Sequence, residues 1–317
     1  MYTQGQVTPA VRTRGLTKRY GSHPALRGLD ITVEAGTVFG LIGPNGAGKT
    51  TTLRLLLDIL RPTSGTVEVL RQDPRVGGAA LRRRIGYLPG DLRWDTRMRG
   101  RALLRHLADI SGPVPDGAID RYAERLGLDL DRPVNALSKG NKQKLGLVQA
   151  FIHRPALLVL DEPTSGLDPL VQREFLTMVR EARDAGQTVL LSSHVLSEIQ
   201  QAADDVVVLS RGRVVAAGPV DTLRIASVRH VHATLGGTSP EHILGILRRA
   251  PGVDALDVSA TASGDTVRVA LTAHGDIDPV IRALSTAVIT DLTVEEPDLE
   301  ESVLRLYSED DEGEPHA

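Results

Sequence analysis

The 317-residue chain contains no cysteine. That excludes a disulfide framework and any thiolate metal site, and it fits a reducing compartment. Aromatic residues are scarce, at 3%, so the core must be built from leucine, valine, isoleucine and alanine. Neither sign of charge dominates. The formal net charge is −3, which argues against bulk electrostatic binding of nucleic acid. No apolar run approaches the roughly 18–20 residues that span a bilayer. The opening "MYTQGQVTPA" lacks the charged and apolar stretches of a secretory leader. A cytoplasmic protein is expected, with any membrane role reached through a partner. The length allows two domains.

The pattern of what is present alternates strand and helix. Residues Val11 to Val33 read as antiparallel strands broken at "YGSHPA", Thr37–Ile42 as a short buried strand, and Lys49–Leu60 as a helix. "GTVEVL" alternates as a strand does. From Ala79 to Pro155 the pattern is mainly helical. Strands at Ala156–Asp161 and Gln187–Ser193 then bracket a helix at Pro169–Ala185. A helix at Val195–Ala203 leads into a hairpin that turns at Arg211-Gly212. This is an α/β domain with a largely parallel sheet. A boundary is expected at Leu223 to Val228. Beyond it the order β-α-β-β-α-β predicts a ferredoxin-like α+β unit, then a helix at Leu299–Tyr307 and an acidic tail over residues 308–317.

Three stretches carry chemistry. "GPNGAGKTT" runs through Gly43, Pro44, Asn45, Gly46, Ala47, Gly48, Lys49, Thr50 and Thr51. It matches G-x-x-x-x-G-K-[ST] between a predicted strand and a predicted helix. The glycines let backbone N–H groups converge on phosphate oxygens, and the helix start adds partial positive charge. Lys49 is placed to reach the β- and γ-phosphates and Thr50 to ligate Mg²⁺. "LLVLDEP" is an apolar strand ending in two carboxylates. Asp161 suits Mg²⁺ binding, and Glu162 suits orienting or deprotonating an attacking water. "LSSHVLSE" puts His194 at a strand's C-terminal edge, where ligands of open α/β sheets collect.

A fourth stretch, "LSKGNKQKLGLVQA", opens like a helix capped by Ser138. Its Asn141-Lys142-Gln143-Lys144 superficially suggests a guanine-reading Asn-Lys-x-Asp. Lys144 stands where that motif needs a carboxylate, so guanine specificity is rejected. Its lysines crowd the helix start, where the dipole favours negative charge.

Taken in order, these stretches resemble an ATP-binding-cassette (ABC) ATPase subunit over roughly the first 225 residues. "TKRYG" resembles the A-loop, which implies Tyr20 stacking on adenine. "LSKGN" resembles the signature motif and "SGLDP" the D-loop, implying nucleotide contacts from Ser138, Gly140, Asn141 and Asp168; His194 resembles the switch histidine. The C-terminal part, ending "EPDLEESVLRLY", resembles that of type-two drug-resistance exporters of the daunorubicin-resistance kind.

The resemblance implies a P-loop NTPase fold with an antiparallel β subdomain and a helical subdomain at about residues 92–155. It implies ATP and Mg²⁺, catalytic roles for Lys49, Glu162 and His194, a separate transmembrane permease, and a homodimer at the cytoplasmic face of the membrane. In such dimers the signature helix serves ATP held by the other copy, which rationalises Lys139 and Lys142. The alternative is a soluble ABC ATPase acting on nucleic acid or ribosomes, but such proteins usually carry tandem cassettes or long coiled-coil insertions, and neither is present. Two departures stand out. Lys139 replaces the first glycine of the signature. Gly90, in "IGYLPGD", stands at the usual Q-loop glutamine, leaving either Asp91 as a substitute near the metal or a flexible loop. The arginine-bearing "RWDTRMRGR" is read as a permease-facing surface.

Overall fold

The computed structural model describes residues 8–92, 94, 96–220, 228–261 and 265–295. β1 (Pro9–Tyr20) and β2 (His23–Glu34) form an antiparallel ribbon. β3 (Val38–Ile42) runs into a glycine loop and α1 (Lys49–Leu56), and β4 (Ser64–Val69) returns to pair with β1. The helix stops short of the expected Leu60. Asp58 takes a left-handed φ of +56°, and Pro62 disfavours helix in the residue before it.

α2 (Pro74–Arg82) precedes β5 (Ile85–Leu88). The helical reading of Ala79–Pro155 is wrong at this point. β5 is a strand, paired in parallel with β6 (Leu157–Asp161) some 70 residues later. Four residues are too few to set a period, and the partner that fixes them is non-local. Between these strands lie α3 (Gly100–Ser111), α4 (Ala118–Arg125), a 3-10 turn at Val134–Ala136 and α5 (Lys139–Phe151). The rest of the unit is α6 (Pro169–Asp184), β7 (Thr188–Ser193), α7 (Leu196–Ala202), β8 (Asp205–Ser210) and β9 (Arg213–Pro219).

Among the described residues the central sheet has the order β5-β6-β7-β3-β8-β9. It is parallel from β5 to β8, and β9 is an antiparallel edge. β3, β6 and β7 are buried along their whole length, as continuous apolar strands covered on both faces should be. One face packs α1 against it, with the β2-β1-β4 sheet beyond. Leu16, Leu26, Leu53, Leu56, Val159 and Leu190 meet in that core. α5, α6 and α7 contact strands of the same sheet. Consequently β3, β6 and β7 all end at the same edge of the sheet, and the chemistry-bearing residues lie at or just beyond these ends.

The chain divides between Leu223 and Arg224 into two units. The expected boundary lies largely outside the described residues. The second unit holds β10 (Val228–Gly236), α8 (Pro240–Leu247), β11 (Val253–Ala260), β12 (Thr266–His274), α9 (Asp278–Leu284) and β13 (Val288–Glu295). Its antiparallel sheet runs β11-β12-β10-β13. Val231, Leu235, Val269 and Leu271 on one sheet face pack with Ile243, Leu247, Val280 and Leu284 of the helices. The expected helix at 299–307 and the acidic tail lie outside the described residues.

The β8–β9 turn braces the glycine loop from behind. Gly212 N–H donates to Ala47 O at 3.0 Å, and Gly212 O accepts from Arg27 N–H at 2.8 Å. Gly212 has φ +76°, and an added β-carbon would sit 2.5 Å from Ala25 O. Gly212→Ala is therefore expected to cost about 1–3 kcal/mol of stability. Urea unfolding monitored by circular dichroism should show the lower midpoint. An unchanged midpoint would mean the turn relaxes freely.

Candidate functional site

The glycine loop starts where β3 ends. Gly48 is the N-cap of α1 at φ +110°, a left-handed conformation that favours glycine, and no side chain caps the helix start. No acidic residue lies in the first turn. The amides of this turn therefore face the loop uncapped, as in an anion site. Asn45 and Gly46 are exposed, Pro44, Thr50 and Thr51 are half-buried, and Ala47 is buried.

Lys49 is only 6% exposed. Its ammonium donates to Gly43 O at 2.5 Å and Pro44 O at 3.3 Å. It also lies 3.2 Å from Glu162 Oε1. The other oxygen, Glu162 Oε2, is 2.7 Å from His194 Nδ1. A lysine, a carboxylate and a half-exposed imidazole thus form one chain linking α1, the end of β6 and the end of β7.

The adjacent Asp161 is 1% exposed. Ser192 Oγ donates to its Oδ1 at 2.7 Å and accepts from Glu162 N–H at 3.1 Å. The β6–β7 register, with Asp161 opposite Ser192, sets up both bonds. Oδ2 of Asp161 is buried with no hydrogen-bond partner among the described residues. A buried anionic oxygen of this kind calls for a cation or an ordered water. Burial, and then the charge of Asp161, push the Tyr87 phenol above its ordinary pKa, while the Arg54 guanidinium acts the other way. Among the described residues no three His, Asp or Glu side chains gather into a metal cage. The single open oxygen of Asp161 suits Mg²⁺, which uses one or two protein ligands together with phosphates and water. Asp161 and Thr50 are the residues here that could hold it.

A second group surrounds the start of α5. Ser138 caps the helix, accepting from Asn141 N–H at 3.3 Å. A β-carbon on Gly140 would lie 2.7 Å from Gly166 O, and the stem of Lys139 runs beside Gly166. Gln143 joins the two groups by donating to Glu162 O at 3.2 Å and Pro163 O at 3.0 Å. Asp168 caps α6, accepting from Leu170 and Val171 N–H at 3.1 and 3.0 Å. Tyr20 is half-exposed at the end of β1 with the Lys18 ammonium 5.3 Å from its ring centroid. Asp91 is exposed on the loop after β5.

Ser192 and Gln143 escaped the sequence reading. Both lie inside quoted motifs, but their roles depend on strand register and helix packing rather than on spacing.

A glycine loop on a parallel sheet, facing paired carboxylates and a strand-end histidine, defines a P-loop nucleotide-binding cassette. The family model described as "ABC transporter" matches residues 26–165. The daunorubicin resistance ATP-binding protein DrrA3 of Streptomyces coeruleorubidus is 37% identical over 316 residues, covering 95% of this chain and 96% of that protein. The bacitracin transport ATP-binding protein BcrA of Bacillus licheniformis is 35% identical over 237 residues, 74% of this chain and 78% of that one. A solved ATP-binding subunit of an ABC transporter superposes with a TM-score of 0.63 at 30% identity, covering 68% of this chain and 92% of its own. A bacterial Atm1-family ABC exporter with ATP bound gives 0.62 at 26% identity, over 68% of this chain and 40% of its own. The chain belongs to the ABC transporter family, as one of its ATP-binding, ATP-hydrolysing subunits.

Ser192→Ala would strip a buried partner from both Asp161 and Glu162. The expected loss is about 1–3 kcal/mol. Chemical denaturation should reveal it. Parental stability in the variant would show that the hydroxyl bridge does not bear on folding.

Proposed function

We propose that this chain is the motor subunit of an exporter for a drug or another small molecule. It works through a separate transmembrane permease at the cytoplasmic face of the membrane, and two copies sandwich ATP. Among the described residues no helix is long and apolar enough to cross a membrane, so the passage itself is assigned to the partner. The relatives named for daunorubicin and bacitracin resistance support the substrate class. The arginine-bearing segment 93–101 is assigned to the permease-facing surface.

The observation that carries the reading is the Lys49–Glu162–His194 chain. Phosphate entering the glycine loop competes for the Lys49 ammonium, because it offers more negative charge than one carboxylate. That releases Glu162 to accept a proton from water or to orient it, while His194 contacts the terminal phosphate. Tyr20 offers an exposed ring for the base. Asp161 and Thr50 would hold Mg²⁺, which would supply charge neutralisation to the phosphates. Ser138, Gly140 and Asn141 at the start of α5, with Asp168 just past the Gly166 carbonyl that Gly140 approaches, serve ATP held by the other copy.

Residues 1–225 form the nucleotide-binding domain, with a helical subdomain at about 92–155. Residues 226–307 form an accessory domain of ferredoxin-like type. The β-α-β-β-α-β order and the strand order β11-β12-β10-β13 support that assignment.

Glu162→Gln tests the reading. Hydrolysis should fall by about 10²–10⁴-fold, while ATP binding persists and ATP-bound dimer accumulates on size exclusion. Turnover near the parental rate would remove Glu162 from its role.

A further inference from the structure

The loop after β5 passes directly over the buried carboxylate. A β-carbon on Gly90 would lie 3.2 Å from Asp161 Oδ2, 3.3 Å from its Cγ and 3.5 Å from its main-chain oxygen. The register explains the approach. β5 and β6 run in parallel with Leu88 opposite Leu160, so the residues just beyond each strand end lie side by side. The φ of Gly90 is outside the left-handed region. The backbone here would accept any L-residue, so conformation is not what calls for glycine. What glycine contributes is the volume that a side chain would take from Oδ2.

That oxygen is the buried one without a hydrogen-bond partner among the described residues. Its sister Oδ1 is held by Ser192, and the Lys49 ammonium is engaged by Glu162 and the loop carbonyls. A side chain at 90 would press on the open oxygen and crowd whatever approaches it. Mg²⁺ dehydrates reluctantly and keeps several waters when it binds one or two carboxylates. A position beside its ligand with no side chain is therefore of use to a hydrated cation.

Resting on the nucleotide-and-cation reading above, we propose that Gly90 keeps a hydration position open beside Asp161. A water of the cation's shell takes the volume a side chain would fill. The loop after β5 then serves the cation without contributing a side-chain ligand, and the Asp91 carboxylate is not required.

Mn²⁺ in place of Mg²⁺ makes this measurable by electron paramagnetic resonance, in the presence of a non-hydrolysable ATP analogue. Gly90→Ala should weaken Mn²⁺ binding by roughly 10-fold, as disturbing the groups around a metal ligand does. Analogue binding in EDTA should stay at the parental level. Gly90→Ser, whose hydroxyl can stand in for the water, should recover part of the loss, and Asp91→Ala should leave Mn²⁺ binding unchanged. Mn²⁺ affinity within twofold of the parent in folded Gly90→Ala would overturn the proposal. So would a large loss in Asp91→Ala, which would give the role to that carboxylate. Failure of both Gly90 variants to fold would also contradict it, because the backbone admits either residue and the volume would then be structural. A parent chain that binds no analogue with or without the metal would instead sink the nucleotide reading itself, and this inference with it.

Discussion

Strand β6 ends in two adjacent carboxylates, and the surrounding elements are arranged to keep both charges there. Asp161 is wholly buried and Glu162 partly so. Two anions this close disfavour one another unless each has its own partners. The solution is to face them differently. Asp161 turns to the Ser192 hydroxyl on β7 and leaves one oxygen open. Glu162 takes a left-handed φ of +47° and turns to Lys49 and His194. A non-glycine residue in that conformation costs on the order of 1–3 kcal/mol, and such strain gathers at functional sites. Here the strained residue faces the buried ammonium of Lys49.

The same strand end is reached from the helical segment. Gln143 on α5 bonds the carbonyls of Glu162 and Pro163, so α5 is hydrogen-bonded to the turn that carries the acid pair. Further along, Arg125 of α4 pairs with Glu174 at 2.5 Å and with Glu181 at 2.6 Å, both on α6. α6 is itself the helix that Asp168 caps after the "SGLDP" turn. α5 is thus bonded to the turn at Glu162, and α4 to the middle and C-terminal part of α6.

What the sequence shows plainly is whatever is local in the chain. The glycine loop, the acid pair and the strand-end histidine each occupy a few consecutive residues whose types carry their chemistry. β3, β6 and β7 are legible as continuous apolar runs. β5 was not, because Ile85–Leu88 becomes a strand only by pairing with Leu157–Leu160. Ser192, Gln143 and the approach of Gly90 to Asp161 were hidden for the same reason, since each arises from register or packing between segments far apart in sequence. The resemblance assigned Asp168 to nucleotide; the structure gives it a helix cap as well, a role that its position before Pro169 could have suggested.

The central claim is that α5 of one copy completes the phosphate site of another. The obvious disruption, an acid at Gly140, is compromised because a β-carbon there already meets Gly166 O of its own chain at 2.7 Å. Ser138 is exposed at the helix start, so Ser138→Arg projects bulk outward at the cost of the cap, about 1 kcal/mol. Lys49→Ala and Ser138→Arg chains, each also carrying Glu162→Gln so that bound ATP persists, are purified alone and as mixed dimers. Apart from the shared Glu162→Gln, each parent has two damaged sites, whereas the mixed dimer has one damaged twice and one with both its glycine loop and its α5 unaltered. The account predicts ATP-trapped dimer in the mixture where neither parent forms it. Mixed dimers that trap no more ATP than either parent would contradict it.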